Sequence, residues 1–177
     1  MYVASKDGVL SSKECDLLIS YYEKQERISP WDSDTPGKAS RYFRMMDIPF
    51  YHVRVSFLWS KILRRISEQF PNLRLSHGQI VEWTPGTFKK PHVDVDIPSE
   101  NSVGTGIIDW TTVCYLNENF LGGQTLVDKR YIEPKKGRVV AFNSKIVPHG
   151  VNMVDRDSRY TLIIWWSEMK PFYGNER

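Results

Sequence analysis

Apolar residues along the chain recur first at helical spacing and later in short runs. Cys15, Leu18, Ile19 and Tyr22 fall on one face of a helix, in a pattern that runs to about Glu26. In front of it, Ser11-Ser12-Lys13-Glu14 is a capping box, with Leu10 placed to staple against Cys15. The polar stretch 29–37, with two prolines and a glycine, predicts a loop. Val55, Leu58, Ile62, Ile66 and Phe70 predict a second helix that ends at Pro71.

Beyond Pro71 the pattern changes to short β-rich runs at 75–83, around 92–95, and at 106–116, 124–127, 138–142, 149–153 and 160–166. Each is bounded by turn formers such as Pro85-Gly86, Asn117-Glu118-Asn119, Gly122-Gly123 and Lys136-Gly137. About eight short strands after two helices predict an α+β fold, mainly β: a sandwich or barrel braced by N-terminal helices. The boundaries expected are helical support over about residues 1–71 and a β core over about residues 73–167. A long polar loop from Asp96 to Gly104-Thr105-Gly106 reads as a lid or binding loop.

Composition narrows the class. A chain of 177 residues fits one domain. Net charge is +3, from 24 basic and 21 acidic side chains spread along the chain, so no nucleic-acid or membrane surface is expected. No apolar run is long enough for a membrane-spanning helix. The N-terminal Met-Tyr-Val-Ala-Ser-Lys-Asp-Gly has no signal-peptide pattern, and a reducing cytoplasm is the expected compartment. Two cysteines, Cys15 and Cys114, are too few for a disulfide scaffold and read as small buried hydrophobes.

The candidate chemistry centres on Pro91-His92-Val93-Asp94-Val95-Asp96. Residues two apart on a strand share a face, so His92 and Asp94 offer an imidazole nitrogen and a carboxylate oxygen to one ion. A chance His-x-Asp pair explains this as well until His149 is added, just after the run Val139-Val140-Ala141-Phe142. Two imidazoles and one carboxylate form the facial triad of non-haem Fe(II) oxygenases. Zinc accepts the same ligands, so the triad alone does not choose the metal. Arg159 does more. It opens a strand on which Arg159, Thr161, Ile163 and Trp165 share one face. An unpaired charge on that face is unfavourable, and an anionic cosubstrate held bidentately resolves it.

With these motifs in place, the sequence resembles the 2-oxoglutarate and Fe(II)-dependent oxygenases, in the prolyl 4-hydroxylase-like branch. The resemblance rests on Asp7 to Cys15, on Gln79-Ile80-Val81-Glu82-Trp83-Thr84-Pro85-Gly86, and on Val113-Cys114-Tyr115-Leu116-Asn117 followed by Gly122-Gly123-Gln124-Thr125. It continues with Gly137 to Phe142 leading into Pro148-His149-Gly150-Val151. It implies a double-stranded β-helix (jelly roll, cupin-like) with His92, Asp94 and His149 as iron ligands. It implies Arg159 and Tyr115 on the distal carboxylate of 2-oxoglutarate, with Thr125 lining the same pocket. Arg159 stands where many collagen-type enzymes have Lys, and Trp83 where a Tyr is common.

The activity implied is hydroxylation of an unactivated C–H bond, with release of succinate and CO2. It needs Fe(II), 2-oxoglutarate and O2, ascorbate is a further candidate whose need is left open, and the substrate expected first is a prolyl residue in a peptide. The alternatives are a free amino acid or other small molecule as substrate, or a non-catalytic metal-holding binding module. Asp94 favours hydroxylation, since halogenating relatives lack that carboxylate. Asp96 reads as a substrate contact or as a solvated strand-end acid. Trp110, Trp165 and Trp166 read as an aromatic wall for a prolyl ring or as ordinary core, and Trp83 joins the substrate candidates. His52 and His77 read as surface or helix residues.

Overall fold

The start signal at Ser11 begins a helix. In a computed structural model, α1 spans Ser12–Tyr22 with Ser11 as its N-cap. The Glu14 amide donates to Ser11 Oγ at 3.3 Å and the Ser11 amide donates to Glu14 Oε2 at 2.9 Å, so both arms of the capping box are present. The helix stops at Tyr22 rather than near Glu26, because the residues that follow, Glu23, Lys24 and Gln25, add nothing to its apolar face. The structure describes residues 3–25, 29–31, 33–38, 40–49, 51–70, 72–96 and 107–168. The expected lid over 96–106 lies, beyond Asp96, outside them.

The second helix, α2 (Val53–Gln69), buries Val55, Leu58, Trp59, Ile62 and Ile66. After Phe70 the chain passes Asn72, whose φ of 71° is the left-handed turn that starts the first long strand. The strands in chain order are β1 (Val3–Lys6), β2 (Ser29–Trp31), β3 (Ser40–Arg44), β4 (Leu73–Trp83), β5 (Lys89–His92) and β6 (Trp110–Tyr115). Then come β7 (Leu121–Gly122), β8 (Thr125–Val127), β9 (Arg130–Ile132), β10 (Val139–Phe142), β11 (His149–Val151), β12 (Val154–Arg156) and β13 (Arg159–Glu168).

These strands build a larger sheet in the order β1-β10-β6-β13-β4-β3-β2 and a smaller one in the order β5-β11-β8-β9, with β12-β7 as a separate ribbon. Each pairing is antiparallel, as in a jelly roll. Period-two alternation gives the larger sheet two jobs. Its outer residues Ile80, Cys114, Leu162, Ile164 and Trp166 join Leu18, Tyr22, Leu58, Ile62 and Ile66 of the helices in one apolar cluster. Each such side chain contributes about 1.5–3 kcal/mol when fully buried. Its inner residues face the smaller sheet: Val81, Trp83, Ile163 and Trp165 in one group, Val113, Tyr115, Val140 and Phe142 in another. The helices brace the back of the sheet, and its front is left to form a site.

The N-terminal third is less purely helical than its pattern predicts. β1 pairs with β10 at one edge, and β2 and β3 extend the other edge beyond β4. Strands of three to five residues are too short for periodicity to register, and Pro30 tolerates an edge position. β9 and β12, at three residues each, are equally short.

Candidate functional site

β5 and β11 are neighbours in the smaller sheet, and His92 lies directly opposite His149. Their ring centroids are 4.4 Å apart. The Nδ1 of His92 faces the Lys90 carbonyl at 2.9 Å and that of His149 faces the Val147 carbonyl at 3.1 Å. Each ring therefore donates its Nδ1–H to the backbone and turns the Nε2 lone pair inward. Burial pushes the His92 pKa down, aided by the neighbouring His149, so its imidazole stays neutral.

Asp94 arrives differently from the expected strand alternation. β5 ends at His92, and Asp94 sits in the coil after it, fixed by its amide donating to the Ser144 carbonyl at 2.9 Å. Its Oδ1 lies 3.8 Å from His92 Nε2 and 3.5 Å from His149 Nε2. Its Oδ2 is held by the Thr111 hydroxyl at 2.8 Å and the Trp165 indole N–H at 3.1 Å. Burial alone would raise its pKa, but the adjoining His149 ring and hydrogen bonding from Thr111 and Ser144 outweigh this and hold the carboxyl at about 2. The ligand atoms of the three side chains all lie within 4.8 Å of one another.

On the inner face of β13, opposite Trp83 of β4, Arg159 is only 1% exposed. Its guanidinium lies over the rings of Trp83 and Tyr115, 5.8 and 5.3 Å from their centroids. One nitrogen donates to Thr125 Oγ1 at 3.0 Å, and that hydroxyl is 2.5 Å from Tyr115 Oη. Among the described residues, Nε and the other terminal nitrogen have no partner. Burial pushes its pKa down, with Tyr115 opposing. Gly123, at φ 64°, leaves the space that the arm of Arg159 fills. The His–Asp–His cluster and Arg159 line one cavity of about 470 Å³, a size that suits a small ligand.

Thr125, Trp83 and Trp165 also line this cavity. Four candidates lie outside it: Tyr115 is fully buried behind Thr125, its hydroxyl on Thr125 Oγ1 and the Ile132 carbonyl, and three others point elsewhere. Trp110 and Trp166 point to the back of the sheet, because on β6 and β13 the inward positions are Thr111 and Trp165. Trp110 donates to Glu168 at 2.6 Å and Trp166 to Thr112 at 3.1 Å. Asp96 is spent on structure, accepting from the Ile108 amide at 2.9 Å and lying 3.5 Å from Lys145 Nζ. His52 stands at the N-cap position of α2 with no side-chain cap bond, its ring against Tyr21. His77 is neither a helix nor a surface residue. It sits on β4, lines the cavity, and stacks on Trp165 with centroids 4.2 Å apart. Gln79, two residues on, also lines it, and nothing in the sequence marks it as a site residue. Alternation back from Trp83 marks both positions as inward.

The site fits a divalent metal with an anionic chelating cosubstrate. Two neutral imidazoles and a carboxylate are a donor set for ferrous iron. Two partnerless guanidinium nitrogens in a buried wall are a receptor for a carboxylate.

Comparison with known proteins agrees. Residues 78–167, just over half of the chain, match the family model of the 2OG-Fe(II) oxygenase superfamily. No curated protein matches the chain in sequence. Among solved structures, a Pseudomonas putida prolyl-4-hydroxylase superposes with a TM-score of 0.71 at 18% identity, covering 95% of this chain and 93% of that one. The viral collagen prolyl hydroxylase of Paramecium Bursaria Chlorella virus-1, in its 2OG complex, gives 0.67 at 22%, covering 96% and 97%. HygX from Streptomyces hygroscopicus, with nickel and 2-oxoglutarate bound, gives 0.63 at 15%, covering 94% and 83%. By its family match, this chain belongs to the 2OG-Fe(II) oxygenase superfamily, whose members use Fe(II), 2-oxoglutarate and O2.

Proposed function

We propose that the protein is a 2-oxoglutarate-dependent dioxygenase that hydroxylates a prolyl residue in a peptide or protein. The observation that carries the oxygenase chemistry is one cavity holding both the His92–Asp94–His149 cluster and the partnerless guanidinium of Arg159. His92, Asp94 and His149 would hold the iron, leaving three of six positions for other ligands. Iron and 2-oxoglutarate, when bound, supply the oxygen activation that hydroxylates a C–H bond, with release of succinate and CO2.

The chain's own residues do the rest. Arg159 grips the distal carboxylate of the cosubstrate, and Thr125 with Tyr115 fixes the guanidinium's orientation through a chain of hydroxyls. Thr111 and Trp165 hold one oxygen of Asp94, so that the other faces the two imidazoles. The backbone carbonyls of Lys90 and Val147 keep both imidazoles in the tautomer that presents Nε2. Trp83, Phe142 and Ile163 give the cavity apolar walls that keep water from the reacting bond. The prolyl assignment is supported by the fold shared with proteins named prolyl hydroxylases and by the flat aromatic wall of Trp165.

The test is incubation with Fe(II), ascorbate, 2-oxoglutarate and O2 across proline-containing peptides and free amino acids. Succinate and a product heavier by one oxygen, seen with the peptides, support the proposal. Succinate with an oxygenated free amino acid, and none with any peptide, overturns the prolyl part.

A further inference from the structure

Among the described residues, eight buried side-chain atoms have no hydrogen-bond partner: Tyr21 Oη, Ser40 Oγ, Gln79 Nε2, Trp83 Nε1, Asn143 Oδ1, Arg159 Nε and Nη1, and Thr161 Oγ1. Of these residues, Gln79, Trp83 and Arg159 line the cavity that holds the His–Asp–His cluster. Every unmet atom they bring to it is an N–H donor, and none is an acceptor. A buried donor without an acceptor is unfavourable in the empty protein. The cavity therefore calls for a ligand rich in acceptor oxygens along this wall.

Strand register gives the order of the donors. On β13 the successive inward positions are Arg159, Thr161, Ile163 and Trp165. Trp83 of β4 lies opposite Arg159, and Gln79 lies opposite Ile163. Trp165, one inward step further, donates to Asp94 Oδ2 at 3.1 Å and marks the metal end. Gln79 thus stands between the guanidinium and the cluster, about 7 Å of strand short of Trp165 at about 3.3 Å per residue. A five-carbon diacid with bonds of about 1.5 Å spans about 6 Å. One that is anchored at Arg159 and reaches the cluster passes Gln79. With Gln79 3% and Trp83 2% exposed, bulk water does not meet their donors.

The oxygens of 2-oxoglutarate match this order. The distal carboxylate faces Arg159, on the level of Trp83. At the other end the keto oxygen and one carboxylate oxygen can chelate an ion. That leaves the second oxygen of this carboxylate charged and without a partner, on the level of Gln79.

We propose that Gln79 and Trp83 are cosubstrate-binding residues: the Gln79 amide N–H2 donates to the carboxylate oxygen of 2-oxoglutarate that the metal leaves free, and the Trp83 indole N–H joins Arg159 on the distal carboxylate. The proposal rests on the oxygenase reading above and deepens it at the same site. Hydrogen bonds to a charged acceptor are the strong ones, and here both donors are already buried and aimed before the ligand arrives.

The experiment uses ¹⁵N-labelled protein loaded with Zn(II), so that no turnover occurs. The Gln79 amide and Trp83 indole signals are assigned by their loss in Gln79→Met and Trp83→Phe. The first keeps the volume and the second keeps a ring under the guanidinium, and each deletes the donor. Titration with 2-oxoglutarate should shift both signals saturably. Saturating 2-oxobutanoate, which keeps the keto-carboxylate end and lacks the distal carboxylate, should shift Gln79 and leave Trp83 in place. In calorimetric titration each variant should bind 2-oxoglutarate at least about tenfold more weakly, the loss of one hydrogen bond to a charged group. Without ligand, Gln79→Met should melt no lower than the wild type, because it removes an unmet donor.

The proposal is overturned if 2-oxoglutarate saturates the protein and either signal stays unmoved. It is also overturned if either variant binds 2-oxoglutarate within twofold of the wild type, or if 2-oxobutanoate shifts Trp83 and not Gln79. Failure of the oxygenase reading looks different: the Zn(II)-loaded wild type would show no calorimetric binding of 2-oxoglutarate at all.

Discussion

Arg159→Met separates a functional arginine from a structural one. The guanidinium is buried, and two of its nitrogens lack partners among the described residues. A buried donor without an acceptor costs about 1–3 kcal/mol. Methionine fills a similar length of cavity with no donors at all. The ligand-free protein should therefore gain about 2 kcal/mol on this substitution. For a chain of this size that is roughly 4–8 °C in Tm, at roughly 2–4 °C per kcal/mol. With the cosubstrate the sign reverses. Each charge-assisted hydrogen bond is worth about 1.5–3 kcal/mol. Two lost from a bidentate grip weaken 2-oxoglutarate binding by about 3–6 kcal/mol, roughly 10²- to 10⁴-fold. The assay is thermal melting of metal-loaded protein with and without 2-oxoglutarate, alongside calorimetric titration of the cosubstrate. The variant should melt higher than the wild type without ligand and gain nothing when ligand is added. A variant that melts lower without ligand, yet binds 2-oxoglutarate within threefold of the wild type, refutes the reasoning, because Arg159 would then be a structural residue.

Further expectations follow from other contacts. Thr111→Val removes the 2.8 Å hydrogen bond to Asp94 Oδ2 and should weaken metal affinity about tenfold, read by competition with a chelator; unchanged affinity would show that the hydroxyl does not orient the carboxylate. Burial holds the His77 pKa at about 4, below its ordinary 6.5, so the unfolded chain binds more protons between those values. Stability should accordingly be complete above pH 6.5 and fall as pH drops toward 4. His77→Phe keeps a ring on Trp165 and should flatten that slope in denaturant unfolding, while an undiminished slope would point to another group. Gly122 has φ 73°, and a Cβ there would drive into the Met153 carbonyl. Gly122→Ala should therefore destabilise the protein by at least about 2 kcal/mol, the upper end for a left-handed residue, and a melting curve within 1 °C of wild type contradicts this.

Features that depend on repeats of several residues were readable from the sequence. The α1 cap needs only Ser11 and Glu14 three apart, and the α2 stripe repeats through four turns. β13 is an apolar run long enough for its face to be assigned, which placed Arg159 inward beside Thr161, Ile163 and Trp165. Short edge strands were hidden because three residues carry no period. Asp94 was placed among the right partners for the wrong reason: the chain leaves β5 at His92, and a backbone bond to Ser144 brings the carboxylate in. Trp110 and Trp166 misled because an aromatic residue next to an inward position looks the same in sequence as one that points in; only strand register separates Trp165 from Trp166. His77 reads as a surface or helix residue, and Gln79 gives no site signal, because a neutral histidine and a glutamine on a strand carry no charge or ligand spacing. The place of His77 comes from Trp165 across the sheet, on which its ring stacks.

The most direct test of the central claim is a single turnover. Protein loaded anaerobically with one equivalent each of Fe(II) and 2-oxoglutarate is exposed to O2 with substrate, and succinate is counted in the wild type and in His149→Ala. The arrangement of His92, Asp94, His149 and Arg159 predicts close to one succinate per wild-type chain and a background level in the variant. Equal succinate from both would contradict it.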